Sequence, residues 1–239
     1  MGSRKGLLSS VADTIGDTPL VALDRVTSGY GGRIFAKIEF LNPGFSKKDR
    51  AALKVIDEAK GSGALKPGQP VLEMTSGNMG TGLAIVCASR GHPFIAVMSR
   101  GNSVERARMM SALGAEVVLV SQAKGASVGN VGKDDLELVR ERASALANER
   151  QAFFVNQFEN PGNSDAHFEG TGPEIWEQSG GSATSFCDFV GSGGTFAGVS
   201  RYLKQQNPDV RCYVTEPTDA AVLAGCDLRD PNHPIQGGG

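Results

Sequence analysis

Short apolar runs and helical stripes take turns along the 239-residue chain. Runs suited to strands fall at residues 33–40, 71–74, 94–98, 116–120, 186–190 and 210–214, with Phe153, Phe154 and Val155 opening a second block. Between them lie helical stretches at about 48–60, 80–90, 103–113, 134–148, 170–178 and 195–206. Gly91 and Gly114 stand where helices should stop, and Ser103 where one should be capped. Strand, helix, strand at this spacing predicts βαβ units and a mainly parallel sheet.

The first long helix sets the chemistry. Its apolar positions Ala52, Val55, Ile56 and Ala59 form one face, and counting back four from Ala52 reaches Lys48. Lys48 therefore points along the buried face, whereas Lys47 continues onto the face of Lys54 and Glu58. A lysine aimed inward is costly unless neutralised or used, and one use is as an imine-forming amine. The alternative is a lysine that snorkels to the surface.

Composition narrows the field. The chain is 40% hydrophobic and 21% charged, with a net charge of −2 and no long run of one sign, which disfavours nucleic-acid binding through a basic patch. Cys87, Cys187, Cys212 and Cys226 form no CxxC pair, and His92, His167 and His233 are scattered, so no zinc-ligand spacing exists. The first three cysteines sit in apolar runs and read as buried, reduced thiols of a cytosolic protein. No apolar run approaches transmembrane length.

Two loops stand at strand-to-helix junctions, where open α/β sheets bind ligands. Thr75-Ser76-Gly77-Asn78-Met79-Gly80 is dense in hydroxyl, amide and backbone donors and suits a carboxylate or a ring oxygen; it also reads as a plain helix cap. Gly191-Ser192-Gly193-Gly194-Thr195 reads as a phosphate cradle at a helix N-terminus. It lacks the lysine of a Walker A loop, and it comes late and breaks the dinucleotide fingerprint at Phe196. A small cofactor with one phosphate fits better. Residues 125–129 match GxSxG, but neither the preceding strand nor the following apolar helix of a nucleophile elbow is there.

Taken together, Asn42-Pro43-x-Phe45-Ser46-x-Lys48-x-Arg50, Thr75-Ser76-Gly77-Asn78-x-Gly80, Ser103-x-Glu105-Arg106, Gln157-Phe158-x-Asn160-Pro161-x-Asn163, Thr171-Gly172-Pro173-Glu174-Ile175-Trp176, residues 191–195 and Ile235-Gln236-Gly237 resemble the cysteine synthases (O-acetylserine sulfhydrylases) and their relatives the cystathionine β-synthases. The resemblance spans nearly the whole chain and implies a pyridoxal-phosphate enzyme of the tryptophan-synthase-β fold. The fold would be α/β, with two three-layer domains carrying twisted, mainly parallel sheets and the cofactor in the cleft between them. Residues 41–150 would form a smaller mobile domain, and 1–40 with 151–239 a larger one.

The resemblance also implies roles. Lys48 would join the cofactor as an imine and act as the catalytic base, Asn78 would bond its ring hydroxyl oxygen, and Gly191, Ser192, Gly193, Gly194 and Thr195 would hold its phosphate. Thr75, Ser76, Gly77, Asn78, Met79, Gln157 and Gly237 would meet the amino-acid substrate. The implied reaction is β-replacement on an activated serine, O-acetylserine plus sulfide giving cysteine and acetate, in a cytoplasmic homodimer without metal, membrane or nucleic acid. Rival expectations are a cystathionine β-synthase, a β-replacement enzyme with another acceptor, or a non-catalytic fragment that binds cofactor or a partner protein. Two departures bear on the choice. Family members commonly carry Thr where Met79 stands, and they continue beyond the Gln236-Gly237 motif into the last part of the larger domain.

Overall fold

The computed structural model describes residues 6–124, 129 and 131–227. In chain order the strands are β1 (Leu20–Ala22), β2 (Phe35–Lys37), β3 (Val71–Met74), β4 (Phe94–Ser99), β5 (Glu116–Val120), β6 (Phe153–Phe154), β7 (Ser185–Phe189) and β8 (Arg211–Thr215). The helices are α1 (Lys48–Gly61), α2 (Asn78–Arg90), α3 (Val104–Ala112), α4 (Lys133–Arg150), α5 (Gly162–Ala166), α6 (Gly172–Gln178) and α7 (Gly194–Gln206). β5, β4, β3 and β6 pair in that order as a parallel sheet; β7 and β8 form a parallel pair, and β1 and β2 an antiparallel one. The expected α/β architecture with parallel strands is what the chain adopts.

The period of two in the strands builds the layers. On β4, Phe94, Ala96 and Met98 face a core shared with Ala52, Val55, Ile56 and Ala59 of α1 and with Leu83 and Val86 of α2. Ile95 and Val97 face the other way, onto Val139, Ala143, Leu146 and Ala147 of α4. Helices on both faces leave every residue of β4 buried, as a central parallel strand requires. A separate core of Ile175, Val199, Leu203 and Val210 lies between α6, α7, β7 and β8. α7 approaches α5 at Gly198, where an added Cβ would overlap the Ser164 carbonyl oxygen.

Several expectations change. The strand expected over 33–40 shortens to Phe35–Lys37, because the chain turns into a short 3₁₀ segment, Glu39–Leu41. The helix expected at 170–178 is a π-helical turn, His167–Thr171, running into α6, and α5 was not anticipated. Ser103 sits at the N-cap of α3, yet its hydroxyl donates to Glu105 at 2.7 Å instead of capping backbone. Cys87 is buried, but Cys187 is exposed and Cys212 only half-buried, since β7 alternates and its outer face carries no cover among the described residues. The GxSxG segment lies almost wholly outside the described residues.

A buried ion-pair network fixes the base of α1. The Arg50 guanidinium donates to both oxygens of Glu39 at 2.8 Å, to both oxygens of Glu174 at 2.6 and 2.7 Å, and to Thr18 Oγ1 at 3.1 Å. Lys37 Nζ pairs with Glu174 at 2.6 Å from the other side. Burial alone would raise the Glu174 carboxyl, but the bonds from Arg50 and Lys37 outweigh it and bring it down to about 2.

Removing one partner of such a network leaves a buried charge uncompensated. Glu174→Gln is expected to cost about 3–5 kcal/mol, measured as a lower urea midpoint at neutral pH. Because the folded value of Glu174 lies below the ordinary 4.5, its contribution is present above pH 4.5 and lost as pH falls toward about 2. The variant should lack that part of the acid transition.

Candidate active site

Where the C-terminal ends of β3 and β7 meet the N-termini of α1, α2 and α7, a cavity of about 520 Å³ opens. Lys48, Thr75, Ser76, Asn78, Met79, Gln157 and residues 191–195 all line it, so segments far apart in sequence converge. Gly77 lies within the same loop, and Gly237 falls outside the described residues.

Lys48 opens α1. Its Nζ lies 2.5 Å from Ser192 Oγ and 3.5 Å from Asn163 Oδ1, both neutral oxygens. Burial, assisted by the positive charge of Lys47 and opposed by Glu73 and Asp188, lowers the Lys48 ammonium to about 8. An amine in that range has an accessible lone pair near neutral pH. Next to it Asp49 is fully buried, accepts the Gly44 N–H with one oxygen, and leaves its Oδ1 without a hydrogen-bond partner among the described residues; burial raises this carboxyl to about 6.

Lys47 does not stand apart from the site as its register suggested: at the N-cap of α1 it lines the same cavity and is held by Asp188 of β7, while Lys54 pairs with Glu58 and Glu169.

The loop after β3 is organised by Thr75. Its buried Oγ1 accepts the Gly77 and Gly80 N–H groups, each at 3.0 Å, which caps α2 and leaves the hydroxyl proton to donate. Arg106 of α3, which also lines the cavity, donates to the Ser76 carbonyl at 2.9 Å; a Cβ at Gly77 would overlap its side chain. Met79 borders the cavity but is only 2% exposed and packs in the main core.

Gln157 stands on a buried acid. Glu73 Oε2 accepts the Asn156 N–H at 2.8 Å, and Glu73 Oε1 accepts the Gln157 backbone and side-chain N–H groups at 3.4 and 3.2 Å. Desolvation outweighs these bonds and raises Glu73 to about 7.

The second loop opens α7. Gly193 is its N-cap in a left-handed conformation, φ 80°, which glycine adopts at little cost. The first N–H groups of a helix lack intrahelical acceptors and favour an anion. Ser192 Oγ accepts from Lys48 and from Asn163 Nδ2, the latter at 2.9 Å. Thr195 Oγ1 lies 3.1 Å from His167 Nε2, and Thr171 Oγ1 lies 2.8 Å from His167 Nδ1. Burial, with the charges of Arg50, Lys48 and Lys47, lowers His167 to about 3, so the ring is a neutral spacer at pH 7.

Asn163, His167, Arg106 and Asp188 were not among the expected site residues. Asn163 and Arg106 stood inside the motifs and could have been found there. His167 and Asp188 carried no local signal.

Glu73 yields a pH test. Its folded value lies above the ordinary 4.5, so its contribution to stability is full below pH 4.5 and declines as pH rises through about 7. Urea midpoints of Glu73→Gln should lose that decline, roughly 3 kcal/mol at most, while the wild type keeps it. Equal slopes in the two proteins would reject this account.

The family described as pyridoxal-phosphate dependent enzyme matches residues 11–236. Cysteine synthase 3 of Caenorhabditis elegans is 44% identical over 236 residues, covering 98% of this chain and 67% of the relative. Cysteine synthase A of Escherichia coli K12 is 42% identical over 230 residues, covering 94% of this chain and 68% of its own length. The solved structure of cysteine synthase from Entamoeba histolytica superposes with a TM-score of 0.87 at 35% identity, covering 99% of this chain and 68% of that one. An amine, an anion cradle and a donor-rich loop in one cavity, in a fold shared at these identities, have one explanation: the chain belongs to the pyridoxal-phosphate dependent enzymes, in the cysteine synthase family.

Proposed function

We propose that the chain binds pyridoxal phosphate in this cavity and carries out β-replacement on an activated serine, with O-acetylserine and sulfide giving cysteine and acetate. One observation carries the reading: the Lys48 amine bonds to Ser192, a residue of the glycine loop, across the same cavity that the 75–79 loop lines. The residues suit the group. Lys48 offers an amine with a lowered pKa to an aldehyde, the start of α7 offers N–H donors and the Thr195 hydroxyl to a monophosphate, and Asn78 offers an amide to a ring hydroxyl.

When bound, pyridoxal phosphate supplies an electron sink that acidifies the substrate Cα. Lys48 then takes the Cα proton and later returns it, a task suited to an amine near 8. Thr75, Ser76 and Asn78 hold the substrate carboxylate, Thr75 through the proton its capping bonds leave over. Gln157 adds its second amide proton, which in this structure has only a 3.5 Å contact with the Met74 carbonyl. Arg106 steadies the loop through Ser76. Buried Met79 contributes its backbone N–H and excludes water.

Within residues 41–150, the part that carries the 75–79 loop closes toward the glycine loop of residues 191–195 and excludes water from the reacting centre, while β6 stays paired with β3 and Arg50 with Glu174. A cytoplasmic setting suits the four free thiols, and a homodimer is what the family resemblance implies. No described helix is long and apolar enough to cross a membrane.

Lys48→Ala should abolish the visible absorbance of bound cofactor and reduce cysteine formation from O-acetylserine and sulfide by about 10²–10⁴-fold, whereas Lys47→Ala should retain both. The reverse pattern would overturn the assignment. Absence of absorbance, or of its change with O-acetylserine, in the wild type would overturn the function itself.

A further inference from the structure

The cavity contains two adjacent lysines whose partners differ in kind. Lys48 Nζ meets neutral oxygens, the Ser192 hydroxyl and the Asn163 amide. Lys47 Nζ lies 2.6 Å from both carboxylate oxygens of Asp188, three residues before the glycine loop. The side chains of this pair are 32% and 19% exposed, so water screens it only partly. Among the described residues lining the cavity, Asp188 is the one carboxylate. Neither residue takes part in the reaction as derived above.

We infer that Asp188 is a selectivity residue, which holds the Lys47 amine as a paired ammonium and so leaves Lys48 as the amine that reacts with an aldehyde in this cavity. The inference rests on the reading that the cavity takes pyridoxal phosphate. Imine formation needs a nitrogen lone pair. The amine nitrogen bonds to the aldehyde carbon, and the carbonyl oxygen leaves as water with the two amine protons. A protonated amine has no lone pair to give, and a carboxylate at contact distance favours the protonated form, whereas hydroxyl and amide oxygens bear no full charge. The two lysines are one residue apart on a helix start and share one cavity. Sharing the cavity, the two amines differ in the charge of the partner that each meets.

The test traps the imine chemically in otherwise unliganded protein. Each variant is exposed to pyridoxal phosphate and then to borohydride, which delivers hydride to the imine carbon while water protonates the nitrogen, giving a stable secondary amine. Peptide mass mapping then reads the modification of Lys47 and Lys48 against exposed Lys60 of the same helix. The wild type should be modified at Lys48 and not at Lys47. Lys48→Ala should leave Lys47 unmodified. Lys48→Ala combined with Asp188→Asn should raise Lys47 modification about tenfold over background, because the carboxylate that holds the amine is gone. Asp188→Ser replaces Asn if that variant does not fold, and Asp188→Glu in the same background should suppress the modification again. Equal Lys47 modification with and without Asp188, or none in the double variant, overturns the inference. A wild type unmodified at Lys48 instead counts against the cofactor reading, so the two failures are distinguishable.

Discussion

The site depends on how the first turn of α1 is held. Arg50 cannot leave its place without exposing Glu39 and Glu174, which it binds at four oxygens, and Lys37 closes the same network from β2. The network ties α1 to the segment after β2 and to α6. On the opposite side Ala52, Val55, Ile56 and Ala59 lock the helix into the main core. With both sides fixed, the residue two positions before Arg50 has one direction left, toward Ser192. A buried ion pair contributes little net stability over an apolar substitute but constrains geometry strongly, and geometry is what an attacking amine requires.

Around that amine the protein arranges charges in a poorly solvated setting. Lys48 is lowered, Glu73 and Asp49 are raised and His167 is kept neutral, each chiefly by loss of water. The common cause is that strands and helix starts converge on the cavity, leaving little room for solvent behind it. Perturbed groups gathered around one cavity are a mark of chemistry. Glu73 and His167 contact Gln157 and Thr195, so they support the groups that line the cavity. The glycines answer a different need: at Gly193 and Gly198 the backbone must turn or approach closer than a Cβ permits.

Much of the fold was legible because the signals were local. Val71–Met74 and Glu116–Val120 emerge as read, being short apolar runs set between polar turns, and α2 stops at Gly91, whose φ of 78° suits glycine. The π-helical turn at His167–Thr171 was not legible. It lets His167 span Thr171 and Thr195, and only α7 packed against it shows why the helix widens there. The outward face of β7 misled for a similar reason. An apolar residue in a strand reads as buried, yet burial requires a covering layer, and Cys187 has none among the described residues.

The sequence by itself determined the strand–helix alternation, the two loops at strand ends and the inward register of Lys48. Each follows from side-chain periodicity or from backbone freedom within a few residues. Only the tertiary structure decided what each polar group meets: that Lys47 turns to Asp188 and Lys48 to Ser192, that Gln157 rests on Glu73, and that Arg106 braces Ser76. Those pairings join residues 30 to 144 positions apart. Hydrogen bonds and ion pairs over such separations are selected by packing of whole layers, which no local pattern encodes.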